Sequence, residues 1–110
     1  MKINFKSKKL EKQLTIPKEI SKAFGVMAKK VNQRMKELKS AETLETMRTI
    51  PAADCHELKN NRKGQLAVSI SGNYRIIFIP DHDPVPVKDD GGMDWTSITI
   101  IEITEVKDYH

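Results

Sequence analysis

Gln65-Leu-Ala-Val-Ser-Ile-Ser-Gly-Asn-Tyr-Arg-Ile-Ile-Phe-Ile79 reads as two strands joined by a turn. Leu66, Val68 and Ile70 alternate with Gln65, Ala67, Ser69 and Ser71, the period of two that puts successive side chains on opposite faces of a strand. Gly72–Asn73 is a hairpin signal, because a tight two-residue turn needs positive φ. Tyr74 to Ile79 is the return strand. It is apolar on both faces except at Arg75, which predicts a central place in a sheet.

Further along the chain, Ile98, Ile100, Ile101 and Ile103 mark a last strand. Its alternation slips at Ile100–Ile101, which implies a bulge there or burial of both faces. Between these strands lies Asp81 to Asp94, a long acidic loop containing Pro84, Pro86 and Gly91–Gly92. Connections of more than about a dozen residues are uncommon in compact domains and are often functional.

Upstream, Cys55 to Leu58 reads as a short strand after Pro51, and Ser40 to Ile50 as a short helical turn. Met27, Val31, Met35 and Leu38 form one helical stripe within Val26 to Lys39. Lys29, Lys30, Arg34 and Lys36 are placed off that stripe, in water, and the methionines read as core filler. Leu10 and Leu14 share a helical face, as do Ile20, Ala23 and Phe24. Pro17 and Glu19 suit a first helical turn. Gly25 either breaks this helix or sits within it. Lys2 to Lys6 alternates weakly, as a lysine-flanked edge strand does. The expected fold is α+β, with N-terminal helices packed on one face of a small antiparallel sheet.

The chain has 110 residues, enough for one domain spanning 1–110 with one modest core. With 38% hydrophobic and 31% charged residues it falls in the soluble globular class rather than the disordered one. The single cysteine, Cys55, excludes an internal disulfide. Met1 to Leu10 is lysine-rich and has no apolar stretch of signal-peptide length. No run approaches the roughly 18 apolar residues of a membrane span, so cytoplasm, without membrane contact, is the expected location.

Charge is distributed unevenly. Residues 1–39 carry twelve Lys/Arg against three Asp/Glu, whereas residues 81–110 carry two against eight. The basic block either meets a polyanion, nucleic acid first, or is a solvated helical surface. Paired CxxC, HExxH, P-loop and GxGxxG patterns are all missing. Asp81, His82 and Asp83 are ligand-type neighbours, but adjacent residues in an extended segment point different ways. No metal or other cofactor is expected.

Two segments carry possible chemistry. Cys55-His-Glu-Leu-Lys-Asn-Asn-Arg-Lys-Gly64 places His56, Lys59, Arg62 and Lys63 in a loop that leads into the hairpin. The chain closes on Asp108-Tyr-His110, a carboxylate, a phenol and an imidazole in succession.

His56-Glu-Leu-Lys-Asn-Asn-Arg-Lys-Gly64, Gly72-Asn-Tyr-Arg-Ile-Ile-Phe78 and Asp108-Tyr-His110, in this order, resemble the HigB-like (host-inhibition-of-growth) killer toxins of the RelE/ParE superfamily. With the helical half that includes Val31-Asn-Gln-Arg-Met35, the resemblance spans most of the chain. It implies a RelE-like fold and the toxin of a type II toxin–antitoxin system. The implied activity is a metal-independent endoribonuclease that cuts mRNA in the ribosomal A site, with a helix-turn-helix antitoxin as partner. The implied chemistry is attack of the ribose 2′-OH on the adjacent phosphate. It needs a base, cations for the doubly charged phosphorane, and an acid for the leaving oxygen.

On that resemblance His110 is the candidate acid/base, since imidazole changes charge near neutral pH. Asp108 orients it or hydrogen-bonds the RNA, and Tyr109 stacks on a base, orients the phosphate or caps the core. Lys59 and Arg75 match positions around the scissile phosphate. Arg62 matches a basic family position and Lys63 adds charge beside it, both as RNA-binding residues or as phosphate steering alone, and His56 matches as a second imidazole or a structural histidine. The chain departs from the pattern at Ser71, where many relatives are basic, and in the length of its acidic loop. Two other readings stay open: a ParE-like gyrase-poisoning toxin, and a catalytically inactive domain that binds RNA or an antitoxin. Asp108-Tyr-His110 and the Lys59/Arg75 pair weigh against the first, while Ser71 favours the second.

Overall fold

A computed structural model of the chain describes residues 1–108. Strand β1 (Lys2–Phe5) leads into three helices, α1 (Lys8–Thr15), α2 (Pro17–Phe24) and α3 (Ala28–Ser40). Ser7 caps α1, its Oγ accepting from the Leu10 N–H at 3.1 Å. Pro17 disfavours helical geometry at the residue before it. Ile16 is accordingly extended, and the helical run divides into α1 and α2. Gly25 ends α2 with φ of +53°, a conformation that costs glycine little. Val31, Met35 and Leu38 are buried as the α3 stripe predicts, and Ile20 is buried on α2 while Ala23 stays exposed.

After short 3₁₀ turns at Leu44–Thr49 and Pro51–Ala53 come β2 (His56–Glu57), β3 (Leu66–Ser69), β4 (Tyr74–Pro80) and β5 (Ile100–Asp108). The sheet order is β1-β5-β4-β3-β2, with β4 central. Three ladders are antiparallel, but β1 runs parallel to β5, so the sheet is mixed rather than wholly antiparallel. No hairpin joins β1 to its neighbour. The helices intervene, so turn geometry does not dictate its direction.

Two local expectations are corrected. Neither Gly72 nor Asn73 has positive φ. A wider connection, residues 70–73, joins the hairpin strands, and the N–H groups of Ile70 and Ser71 both donate to the Tyr74 carbonyl at 2.9 and 3.4 Å. The register slip in β5 also lies elsewhere. Phe78 pairs with Ile103 and Ile77 with Glu105, which leaves Thr104 as the extra residue, not Ile100 or Ile101. Its Oγ1 donates to the Ile77 carbonyl at 3.2 Å.

The helices cover one face of the sheet. Leu14, Ile20, Val31 and Leu38 meet Leu66, Val68, Ile76, Phe78, Ile101 and Ile103 there. Arg34, expected in water, is only 3% exposed. Its Nε donates to the Ser69 carbonyl at 2.7 Å, its Nη2 to the Ala52 carbonyl at 2.9 Å, and its Nη1 to Glu37 Oε1 at 3.0 Å. Arg34 stands three residues after Val31 and four before Leu38, on the inner side of α3. It ties the helix to the end of β3 and to the segment leading into β2.

The acidic loop is fastened to the sheet. Asn4 Nδ2 donates to Asp81 Oδ2 at 2.8 Å, and His82 Nε2 accepts from the N–H groups of Thr99 and Ile100 at 3.1 and 3.3 Å. Val87 and Met93 bridge across it. Beyond it Trp95 is buried, with its Nε1 donating to Glu57 Oε2 at 3.0 Å and the Arg48 guanidinium 3.7 Å above its ring. Among the described residues no helix is long and apolar enough to cross a membrane.

Truncating Arg34 leaves two carbonyls without their donor and the Glu37 carboxylate with Gln33 Nε2 alone. Arg34→Ala is therefore expected to cost about 3 kcal/mol of unfolding free energy, read from urea denaturation at neutral pH. A loss below about 1 kcal/mol would show that Arg34 is not a tie between helix and sheet.

Candidate functional site

The helices leave the other face of the sheet open. Across it run two rows of paired positions, His56–Ala67–Ile77–Glu105 and Ser69–Arg75–Lys107. Ala67 and Ile77 are fully buried yet stand apart from the helix-side core. A shallow cavity of about 300 Å³ is lined by His56, Leu58, Ala67 and Arg75. The sequence-predicted His56 and Arg75 therefore share one concavity.

Arg75 is held from one side. Its Nη1 donates to the carbonyls of Ser71 (2.7 Å), Gly72 (3.2 Å) and Tyr74 (3.2 Å). Its Nε and Nη2 make no hydrogen bond among the described residues, so part of the guanidinium remains available for an anion. A guanidinium oriented in advance binds phosphate with little further loss of side-chain freedom. His56 is exposed, and its Nδ1 lies 2.7 Å from the Asp54 carbonyl oxygen. A carbonyl only accepts, so Nδ1 carries the proton and the neutral ring keeps its lone pair on Nε2.

Lys59 and Lys63 flank a 3₁₀ turn at Asn60–Arg62. The turn is bent by positive φ at Asn60 (+58°) and Gly64 (+92°). Both lysines are exposed, and neither is ion-paired among the described residues. Arg62 is engaged instead. Its Nη1 donates to Gln65 Oε1 at 2.8 Å and reaches Glu105 Oε2 at 3.4 Å, which ties this loop to β5. The positive charge of the open face thus comes from Arg75 and Lys107, with the exposed Lys59 and Lys63 on the turn between β2 and β3.

Asp108 is placed differently from Arg75. It pairs with Tyr74, whose row belongs to the helix-side face. The Tyr74 phenol hydrogen-bonds its carboxylate, and this negative partner holds the phenol above its ordinary pKa. Tyr109 and His110 lie outside the described residues. Tyr74 and Lys107 were not singled out in the sequence. The signal for both is their place beside known candidates, Tyr74 before Arg75 and Lys107 before Asp108, but only the register shows what they face.

Cys55, next to His56, is not a nucleophile. Burial pushes its thiol up to about 12, with the Asp54 charge adding to the rise and Arg48 opposing it. Among the described residues no cluster of three or more His, Cys, Asp or Glu side chains could hold a metal ion.

A family model described as the RelE-like toxin of the type II toxin–antitoxin system HigB matches residues 3–85. The match ends within the acidic loop, before β5. No curated protein matches the chain. Among solved structures, a YoeB/ParE toxin from Agrobacterium tumefaciens is 13% identical, with both chains covered in full and a TM-score of 0.56. A YoeB–YefM complex from Staphylococcus aureus is 20% identical, over 100% of this chain and 98% of that one, with a TM-score of 0.55. At such identities the likeness is one of fold.

The raised thiol pKa predicts slow alkylation. At pH 8 the native Cys55 is expected to react with iodoacetamide about a hundredfold or more slowly than in urea-unfolded protein. Native and unfolded rates within tenfold of each other would contradict the assigned burial.

Proposed function

Because the chain belongs to the HigB-like family of RelE-like toxins of type II toxin–antitoxin systems, we propose that it is a metal-independent endoribonuclease that cuts mRNA on the ribosome. The observation that carries this reading is the open sheet face, where Arg75 lines one cavity with His56 and, among the described residues, keeps its Nε and Nη2 free, while Lys59 and Lys63 stand exposed on the turn that follows Leu58. Such a face recognises a phosphodiester backbone rather than an apolar ligand.

In the proposed reaction the ribose 2′-OH attacks the adjacent phosphate, leaving a 2′,3′-cyclic phosphate and a 5′-OH. Arg75 and Lys59 stabilise the equatorial oxygens of the phosphorane, where charge accumulates. His110 is the proton donor or acceptor, and Tyr109 positions base or phosphate. Asp108, held by Tyr74, anchors the strand from which Tyr109 and His110 follow. His56 and Lys63 contact the RNA, while Arg62 steadies the loop that carries them. The cation missing at Ser71 has to come from another element.

The solved complex of a YoeB with YefM supports an antitoxin as the protein partner. A helix-turn-helix antitoxin and the cytoplasm are part of the same proposal. The acidic loop joins the Pro80 end of β4, about 20 Å along the strand from Tyr74, to the start of β5.

In-vitro translation of a defined mRNA with the purified protein, with 5′ ends mapped by primer extension, is expected to show in-frame, ribosome-dependent cuts. His110→Ala is expected to lower the cleavage rate by about 10²- to 10⁴-fold. Intact message with folded protein and active ribosomes would reject the nuclease reading and redirect attention to gyrase or to binding alone.

A further inference from the structure

Lys107 is the residue of β5 that stands directly opposite Arg75, on the open face. Directly opposite positions in an antiparallel pair bring Cβ atoms to about 5 Å, and like charges there are destabilising. Among the described residues Lys107 has no ion-pair partner, Arg75 has only backbone carbonyls on its Nη1, and Glu105, the acid of the neighbouring row, is paired with Arg62. Ser69, the third member of the row, is neutral.

The arrangement depends on the bulge. With unbroken alternation Val106 would stand opposite Arg75, and Lys107 would turn toward the helices. The extra residue Thr104 reverses this, sending Val106 to the core and Lys107 to the face that holds Arg75 and His56. Two cations brought together by a register shift, with no counter-ion among the described residues, are suited to a shared anion.

We propose that Lys107 and Arg75 together grip one phosphate of the RNA backbone, Lys107 supplying the cation that this chain lacks at Ser71. Arg75 offers directed donors, and Lys107 a flexible point charge from the neighbouring strand. The assignment rests on RNA being the ligand of the open face. It adds a contact from β5, beyond the residues matched by the family.

The test uses the full chain and a short single-stranded RNA whose scissile position is 2′-deoxy, so that binding is read without cleavage. Affinity is measured by fluorescence anisotropy across salt concentrations for wild type, Lys107→Met and Lys107→Arg. Loss of one phosphate contact should reduce the slope of log K against log salt by about 0.7. Lys107→Met is expected to bind several-fold more weakly at low salt, with that shallower slope, and Lys107→Arg to restore both. An unchanged slope and affinity in Lys107→Met overturns the grip, as does failure of the wild-type protein to bind the RNA. Cleavage assayed in parallel separates the two claims. A protein that binds with the expected slope change but never cuts loses the nuclease reading and keeps the phosphate grip.

Discussion

Side chains along a strand alternate between faces, so one inserted residue exchanges the two faces for everything beyond it. Thr104 is that insertion in β5. Before it, Ile101 and Ile103 pack against the helices. After it, Val106 joins the core, Glu105 and Lys107 take the open face, and Asp108 comes opposite Tyr74. Without the bulge, Glu105 and Lys107 would be driven into the apolar layer, where an unpaired charge costs several kcal/mol. The core and the open face are therefore set by the same residue. The Thr104 hydroxyl, bonded to the Ile77 carbonyl, gives the irregular backbone a partner at the point where the ladder is interrupted.

The helix layer has a corresponding tie. Arg34 reaches from the buried side of α3 to carbonyls at Ser69 and Ala52, the end of β3 and the segment before β2. These are backbone groups that no strand neighbour would otherwise satisfy, and Glu37 balances the charge. The tie fixes the backbone close to the turn that holds Arg75, because Ser71, two residues after Ser69, accepts from Arg75 Nη1. One arginine on the covered face and one on the open face thus bracket the same hairpin. Burial distinguishes them, since Arg34 has spent all its nitrogens on protein partners while Arg75, among the described residues, has used one.

Much of this was legible in the sequence. Alternation located β3, isoleucine spacing located β5, a run apolar on both faces except at Arg75 placed β4 centrally, and the Val31–Met35–Leu38 stripe gave the core face of α3. The direction of β1 was not legible, because a four-residue strand carries no record of its partner. Arg34 was misplaced by polarity even though its spacing from Val31 and Leu38 put it on the buried side. Ile100–Ile101 drew attention as the bulge because two adjacent isoleucines break an alternation, whereas the slip at Thr104 shows only as a three-residue step from Ile103 to Val106. Of the candidate site residues, His56 and Lys59 stand out in the loop that leads into the hairpin, and Arg75 is proposed by resemblance. Tyr74 and Lys107 depend on a register that only the folded sheet provides.

Two basic surfaces compete for the role of RNA-binding face: the lysine-rich helices of residues 1–39 and the open sheet face around Arg75. The direct test is chemical-shift mapping of the isotopically labelled protein titrated with a non-cleavable single-stranded RNA. The amides and side chains of His56, Lys59, Arg75 and Lys107 are expected to shift together and saturate at one stoichiometry, while Lys12, Lys22 and Lys29 on the helices stay in place. Shifts confined to α1, α2 and α3, with the open face unmoved, would contradict RNA binding at the sheet.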